Sequence, residues 1–129
     1  MIAAAFLILA AQALPAPGSV ASWETLPQDE FGSNFLDPAS IRQEDGIAHV
    51  VVRAVARQVG ADRVHTIMMR FRIDCRARRY GFEAADAYDA DGRLIRSREA
   101  APGTVASDTF DIDNFGRMAA RVCGRDAAR

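Results

Sequence analysis

Lysine is missing from this chain, and all sixteen of its cationic side chains are arginine. Against seventeen acidic residues they leave a formal net charge of −1. A nucleic-acid binder needs a clear basic excess to engage phosphates, so the charge argues against that class. Composition bias accounts for an all-arginine set at so ordinary a total charge; anion recognition by guanidinium is the functional alternative. Histidine is scarce too, with only His49 and His65. Cysteine occurs twice, as Cys75 and Cys123. Their separation excludes a CxxC redox motif, and two cysteines with two histidines are poor material for a zinc centre. Neither a metal nor a cofactor is expected. Repeats and low-complexity segments are also absent.

The long apolar run is confined to the N-terminus. Met1 to Leu14 carries no charge and one polar residue, Gln12. That is too short to span a bilayer but fits the apolar region of a signal peptide. Two cleavage signals follow, Ala11-Gln12-Ala13 and Ser19-Val20-Ala21. Cleavage after Ala21 is preferred, because Pro15, Pro17 and Gly18 end the apolar segment before it. No arginine precedes the run, which leaves an uncleaved anchor as the alternative to a cleaved signal, and no cysteine near the cleavage region supports a lipid anchor. The expected division is a signal peptide over 1–21 and one domain over 22–129, a length that supports a single core. Periplasm, cell surface or the extracellular medium is the expected location, with no membrane span after cleavage.

Export makes the cysteine count informative. An even number of thiols in an oxidising compartment suggests a bridge between Cys75 and Cys123, with two buried free thiols as the alternative.

Strand signals begin at Ser22 to Leu26 and again at Asn34 to Leu36. Asp37-Pro38-Ala39-Ser40-Ile41 reads as one helical turn or a tight turn, with Asp37 as cap and Pro38 at the first helical position. Glu44-Asp45-Gly46 reads as a turn. Ile47 to Arg57 and Val64 to Cys75 both alternate with period two but in opposite parity: even positions are apolar in the first, odd positions in the second. This predicts two half-buried antiparallel strands whose paired residue numbers sum to an odd value. A two-residue turn at Gly60-Ala61 gives a sum of 121. A turn at Arg76-Ala77 sets Tyr80 against Ile73 and Phe82 against Phe71, with Ala84 on the face of Tyr80 and Phe82. Asp89 to Gly92 is a turn before a strand at Leu94 to Arg98, and Pro102-Gly103 breaks the chain. The period then changes: Phe115, Met118, Ala119 and Val122 follow helical spacing, Asp111 or Asp113 is a candidate cap, and Gly124 is a stop. Cys75 falls on the core parity of its strand and Cys123 on the apolar stripe of the helix. The fold class is therefore α+β, an antiparallel sheet with a C-terminal helix clamped on one face by a disulfide.

Several short segments, in this order, resemble the surface-adhesin protein E family of Gram-negative bacteria. They are Trp23; Asn34-Phe35-Leu36-Asp37 followed by Ser40-Ile41; Ile73-Asp74-Cys75 with Arg78-Arg79-Tyr80; Tyr88 with Asp91-Gly92; Pro102-Gly103-Thr104; and Val122-Cys123. The stretch from Pro102 to Cys123 is longer than is usual there. The resemblance implies about six antiparallel strands, a helix packed on one face and a Cys75–Cys123 disulfide. It also suggests homodimerisation and a non-enzymatic envelope protein that binds a macromolecular partner. No ligand-binding residue carries over, because adhesion in the family has no portable motif.

Catalysis has little to work with. His49 is expected to point outward and His65 inward, so the two share neither a metal nor a proton. Asp89, Asp91 and Gly92 echo part of a calcium loop but lack the spacing and the terminal Glu. Arg53, Arg57, Arg70 and Arg72 project from the non-core face of the central hairpin as a candidate partner-binding patch. The competing expectation is that Glu83 opposite Arg70, and Asp74 beside Arg72, neutralise them. Three functions follow in order: a protein E-like binding domain, an accessory periplasmic domain of an envelope complex with no host ligand, and, remotely, a small hydrolase.

Overall fold

The computed structural model describes residues 13–100, 108–109 and 113–124. The first twelve residues of the expected leader, Pro102-Gly103 and the candidate cap Asp111 lie outside the described residues. Among the described residues eight strands form one antiparallel sheet: β1 (Glu24–Leu26), β2 (Gly32–Leu36), β3 (Arg42–Glu44), β4 (Ile47–Ala56), β5 (Thr66–Asp74), β6 (Arg79–Tyr88), β7 (Leu94–Glu99) and β8 (Asp108–Thr109). Six of them run in the order β1-β2-β4-β5-β6-β7, while β3 pairs with β4 and β8 with β6. One helix, α1 (Asp113–Cys123), follows.

The central pairing has the register that the sequence predicts. Ala48 faces Ile73 and Val50 faces Phe71, so paired numbers sum to 121 from Ile47 to Val55. The turn differs. The ladder stops at Val55–Thr66, and Gly60 does not adopt a positive φ. Instead the Arg63 amide donates to the Gly60 carbonyl, Arg63 itself sits at φ 63°, and the Asp62 carboxylate takes the Val64 N–H. A local carboxylate–backbone turn outcompetes the tight hairpin here.

The β3–β4 hairpin is an element the sequence reading missed. Glu44 pairs with Ile47 across Asp45-Gly46, whose φ values of 52° and 81° are the signature of a two-residue type I′ turn. Asp-Gly is the composition such turns favour, but β3 has no apolar residue to announce it.

Between β5 and β6 the pairs Ile73–Tyr80 and Phe71–Phe82 form as expected, around a four-residue turn rather than two. The Asp74 carboxylate caps that turn by accepting the N–H groups of Arg76 and Ala77. Beyond Phe82 the register shifts by one at a β-bulge, so Arg70 faces Ala84 rather than Glu83. Ala84 therefore leaves the face of Tyr80 and Phe82. The bulge has a physical reason: unbroken alternation would turn Asp86 toward the core, and the shift brings Ala85 and Ala87 there instead.

The core lies between the sheet and α1. Leu36, Ala48, Val50, Val52 and Ile73 from the strands bury against Met118, Ala119 and Val122 of the helix. Three ties hold the helix down. Cys75 and Cys123 are bonded, with their Cα atoms 5.7 Å apart. Arg121 Nε donates to both Glu24 carboxylate oxygens on β1, at 3.1 and 2.9 Å. Gln43 of β3 donates to the Val122 carbonyl at 3.2 Å. Gly124, at φ 75°, ends the helix in the left-handed conformation that glycine adopts without a Cβ penalty. At the other end of the sheet, Gly32 is required by close approach: a Cβ there would lie 2.0 Å from the Val55 carbonyl oxygen.

Candidate functional site

The opposite face of the sheet carries odd residues of β4 and even residues of β5, and it is not uniformly solvated. Val51, Val64, Thr66 and Met68 are buried on that side. Arg53 is drawn into it as well: its guanidinium carbon lies 5.0 Å from the Trp23 ring centre and 4.8 Å from that of Phe35. Arg53 Nε is buried without a hydrogen-bond partner. Two aromatic faces thus take the place of an anion. This explains a role for Trp23 that its position in the sequence does not reveal.

The other three patch arginines divide. Arg57 is exposed beyond the end of β4, and its Nη2 donates to the Asp29 carbonyl. Arg72 is exposed opposite His49. Arg70 is half-buried opposite Val51. Neither expected neutralising pair forms. The bulge carries Glu83 away from Arg70 to His49 Nδ1, and Asp74 is occupied by its turn. The guanidinium groups of Arg70 and Arg72 have no ion pair or hydrogen bond with any described residue.

A cleft of about 440 Å³ opens beside Arg70. Its origin is topological. On one edge of β4, β2 pairs with residues 52–56 and β3 with residues 47–49, and the connection between them leaves the sheet. That connection is the 3-10 turn Pro38–Ser40, capped as expected by the Asp37 carboxylate, which accepts the Ala39 N–H. Val51, skipped by both strands, gives its carbonyl to the Asp37 N–H and its N–H to Ser40 Oγ. The polar wall of the cleft is Asp37, Ser40, Arg42, His49 and Arg70. Ala13 and Pro15, upstream of the preferred cleavage position, contribute an apolar wall.

The chemistry of the cleft follows from its partners. Arg42 is paired with Glu44 at 3.2 Å. His49 is the cross-strand neighbour of Arg42 on one side and Arg72 on the other, and Glu83 fixes its orientation through Nδ1. A histidine held by a carboxylate is half of a nucleophile-activating arrangement. The other half is missing among the lining residues: Ser40 Oγ accepts from Val51 and donates to the Asp37 carbonyl at 2.7 Å, so its oxygen is committed to the backbone. His65 lies elsewhere, bonded through Nδ1 to its neighbour Thr66. Among the described residues no three His, Cys, Asp or Glu side chains converge as a metal site would require, and no helix is long and apolar enough to cross a membrane.

Asp89 does what its turn composition predicts. Its carboxylate accepts the N–H groups of Arg93 and Asp91. The bond from Arg93 does most to hold its pKa below the ordinary carboxylate value, desolvation opposes it, and the bond from Asp91 and the charges of Arg93 and Arg63 lower it further. Burial, with the charge of Asp86 behind it, raises the Tyr88 phenol.

No family model, curated protein or solved structure matches the chain.

Proposed function

We propose that this protein is a non-catalytic domain of the bacterial cell envelope that binds a protein partner through the helix-free face of its sheet. The observation that carries this reading is the unequal fate of the two faces. One is sealed by α1 and a disulfide; the other presents Arg57 and Arg72 to solvent, with the acids expected to neutralise the patch engaged elsewhere. An exposed guanidinium without a local acid is suited to a carboxylate on a partner surface. The bridge supports an oxidising compartment, where such bonds persist, and the likeness to surface-adhesin protein E in Trp23, Asp37, Cys75 and Cys123 supports an envelope role. In this reading the first 21 residues direct export and are removed.

The test is a cross-linking pull-down from native envelopes with the exported protein and its Arg57→Glu/Arg72→Glu variant. Both side chains are exposed, so the variant is expected to fold, which circular dichroism and an intact disulfide would show. The expected result is one envelope protein captured by the parent and lost, by about tenfold or more, from the variant. Equal capture by both would remove this face from the interaction.

A further inference from the structure

We infer that the cleft beside Arg70 is a binding site for an organic monocarboxylate, either a free small molecule or the carboxyl end of a peptide. The inference does not rest on the partner reading above, since it concerns Arg70 rather than the exposed Arg57 and Arg72.

Arg70 is half-buried yet has no acid or carbonyl partner among the described residues. Removing a guanidinium from water is costly unless another group replaces the lost hydrogen bonds. Arg53, on the same face, meets that need with two aromatic rings; among the described residues no aromatic ring makes such a contact with Arg70. What Arg70 has instead is a cleft on which it opens. A carboxylate offers two oxygens at the spacing of the guanidinium fork, the strongest pairing available to arginine.

The surroundings select the charge of the ligand. Of the cationic groups that line the cleft, Arg42 has Glu44 and His49 has Glu83, while the Asp37 carboxylate accepts the Ala39 N–H. Arg70 is thus the cation left to be matched, and it matches one negative charge. A phosphate dianion would add a second charge beside Asp37 and Glu83, where repulsion opposes it. Of the lining that remains once residues 1–21 are removed, Ala39 and Ile41 are apolar, so the carboxylate should carry a short aliphatic body rather than a second charge. Ser40 is excluded as a ligand donor because its hydroxyl hydrogen already goes to the Asp37 carbonyl.

The test uses the protein purified from the envelope with the N-terminus that the cell leaves, established by mass spectrometry. Backbone amide shifts are followed by heteronuclear NMR during titration with four probes: butyrate, acetyl-trialanine with a free carboxylate, its C-terminal amide, and inorganic phosphate. The expected result is a saturable shift at Ser40, Val51 and Arg70 with butyrate or the free-acid peptide. Binding should be weaker by about tenfold or more with the amide, with phosphate and in Arg70→Gln. Butyrate binding without peptide binding assigns the free small molecule; tighter peptide binding assigns a chain terminus. Arg96→Gln, at an exposed arginine of β7, controls for general loss of positive charge and should bind as the parent does. Equal binding of acid and amide, phosphate binding as tight as the carboxylates, unchanged affinity in Arg70→Gln, or no shift with any probe would each overturn the assignment. Retained dispersion and thermal transition in Arg70→Gln separate loss of the site from loss of the fold.

Discussion

Glu83, the extra residue of the β6 bulge, reaches across β5 to bond Nδ1 of His49 on β4. A shift of one residue in register thus decides which polar groups meet on the helix-free face. It withdraws an acid from Arg70 and gives it to a histidine.

That relationship has an energetic consequence. A hydrogen bond between partly buried side chains typically contributes about 1 kcal/mol net, more when charge-assisted. In a double-mutant cycle of His49→Ala and Glu83→Ala, urea denaturation should therefore show a coupling of about 1 kcal/mol. Additive single effects would mean that the pair contributes nothing to stability.

The disulfide closes a separation of 48 residues. In the chain-entropy account such a loop is worth about 4 kcal/mol, chiefly by restricting the unfolded chain. Cys75→Ala/Cys123→Ala, or full reduction, should lower the unfolding free energy by about that much, read as a fall in the urea midpoint. Because α1 seals the core only at one face, its amides should lose hydrogen-exchange protection before those of β4 and β5.

Arg53→Ala removes the guanidinium between Trp23 and Phe35 and should destabilise the domain by about 1–2 kcal/mol. Arg53→Lys should recover only part of this, since an ammonium cannot stack a plane on two rings. Trp23 fluorescence provides an independent readout: its emission should move to longer wavelength in Arg53→Ala as the ring loses its cover.

The β6–β7 turn should loosen in acid. Asp89 titrates below its ordinary value of 3.8 because its ionised form accepts the Arg93 and Asp91 amides. A depressed folded pKa means that the turn is supported in full above the ordinary carboxylate value and loses that support as pH falls through the lower folded one. Amide shifts of Asp91 and Arg93 should report one transition below 3.8, and Asp89→Asn should abolish it.

Much of the architecture could be read in the residues themselves. The opposed parity of Ile47–Arg57 and Val64–Cys75 specified which faces pair and required an odd register sum, which the ladder meets at 121. A period of two leaves no other way to bury both apolar sets. The switch to helical spacing at Met118, Ala119 and Val122 placed the helix on the sheet, and the parity of Cys75 aimed the bridge at it. Asp37-Pro38 capped its turn, and Asp89 nucleated its own, because both act on backbone within a few residues. These are local or periodic signals, and local chemistry decides them.

The cleft was not legible. It exists because β2 and β3 both pair with one edge of β4 and leave Val51 to the Pro38–Ser40 turn, a relation among segments that no periodicity encodes. Likewise, the four patch arginines share a face, yet only packing divides them. Arg53 is stacked between rings from β2 and the N-terminal segment, Arg70 opens on the cleft, and Arg57 and Arg72 remain in solvent. Alternation along a strand says which side a charge is on. What stands over it there depends on chain arriving from elsewhere, and that is settled only when the tertiary structure closes.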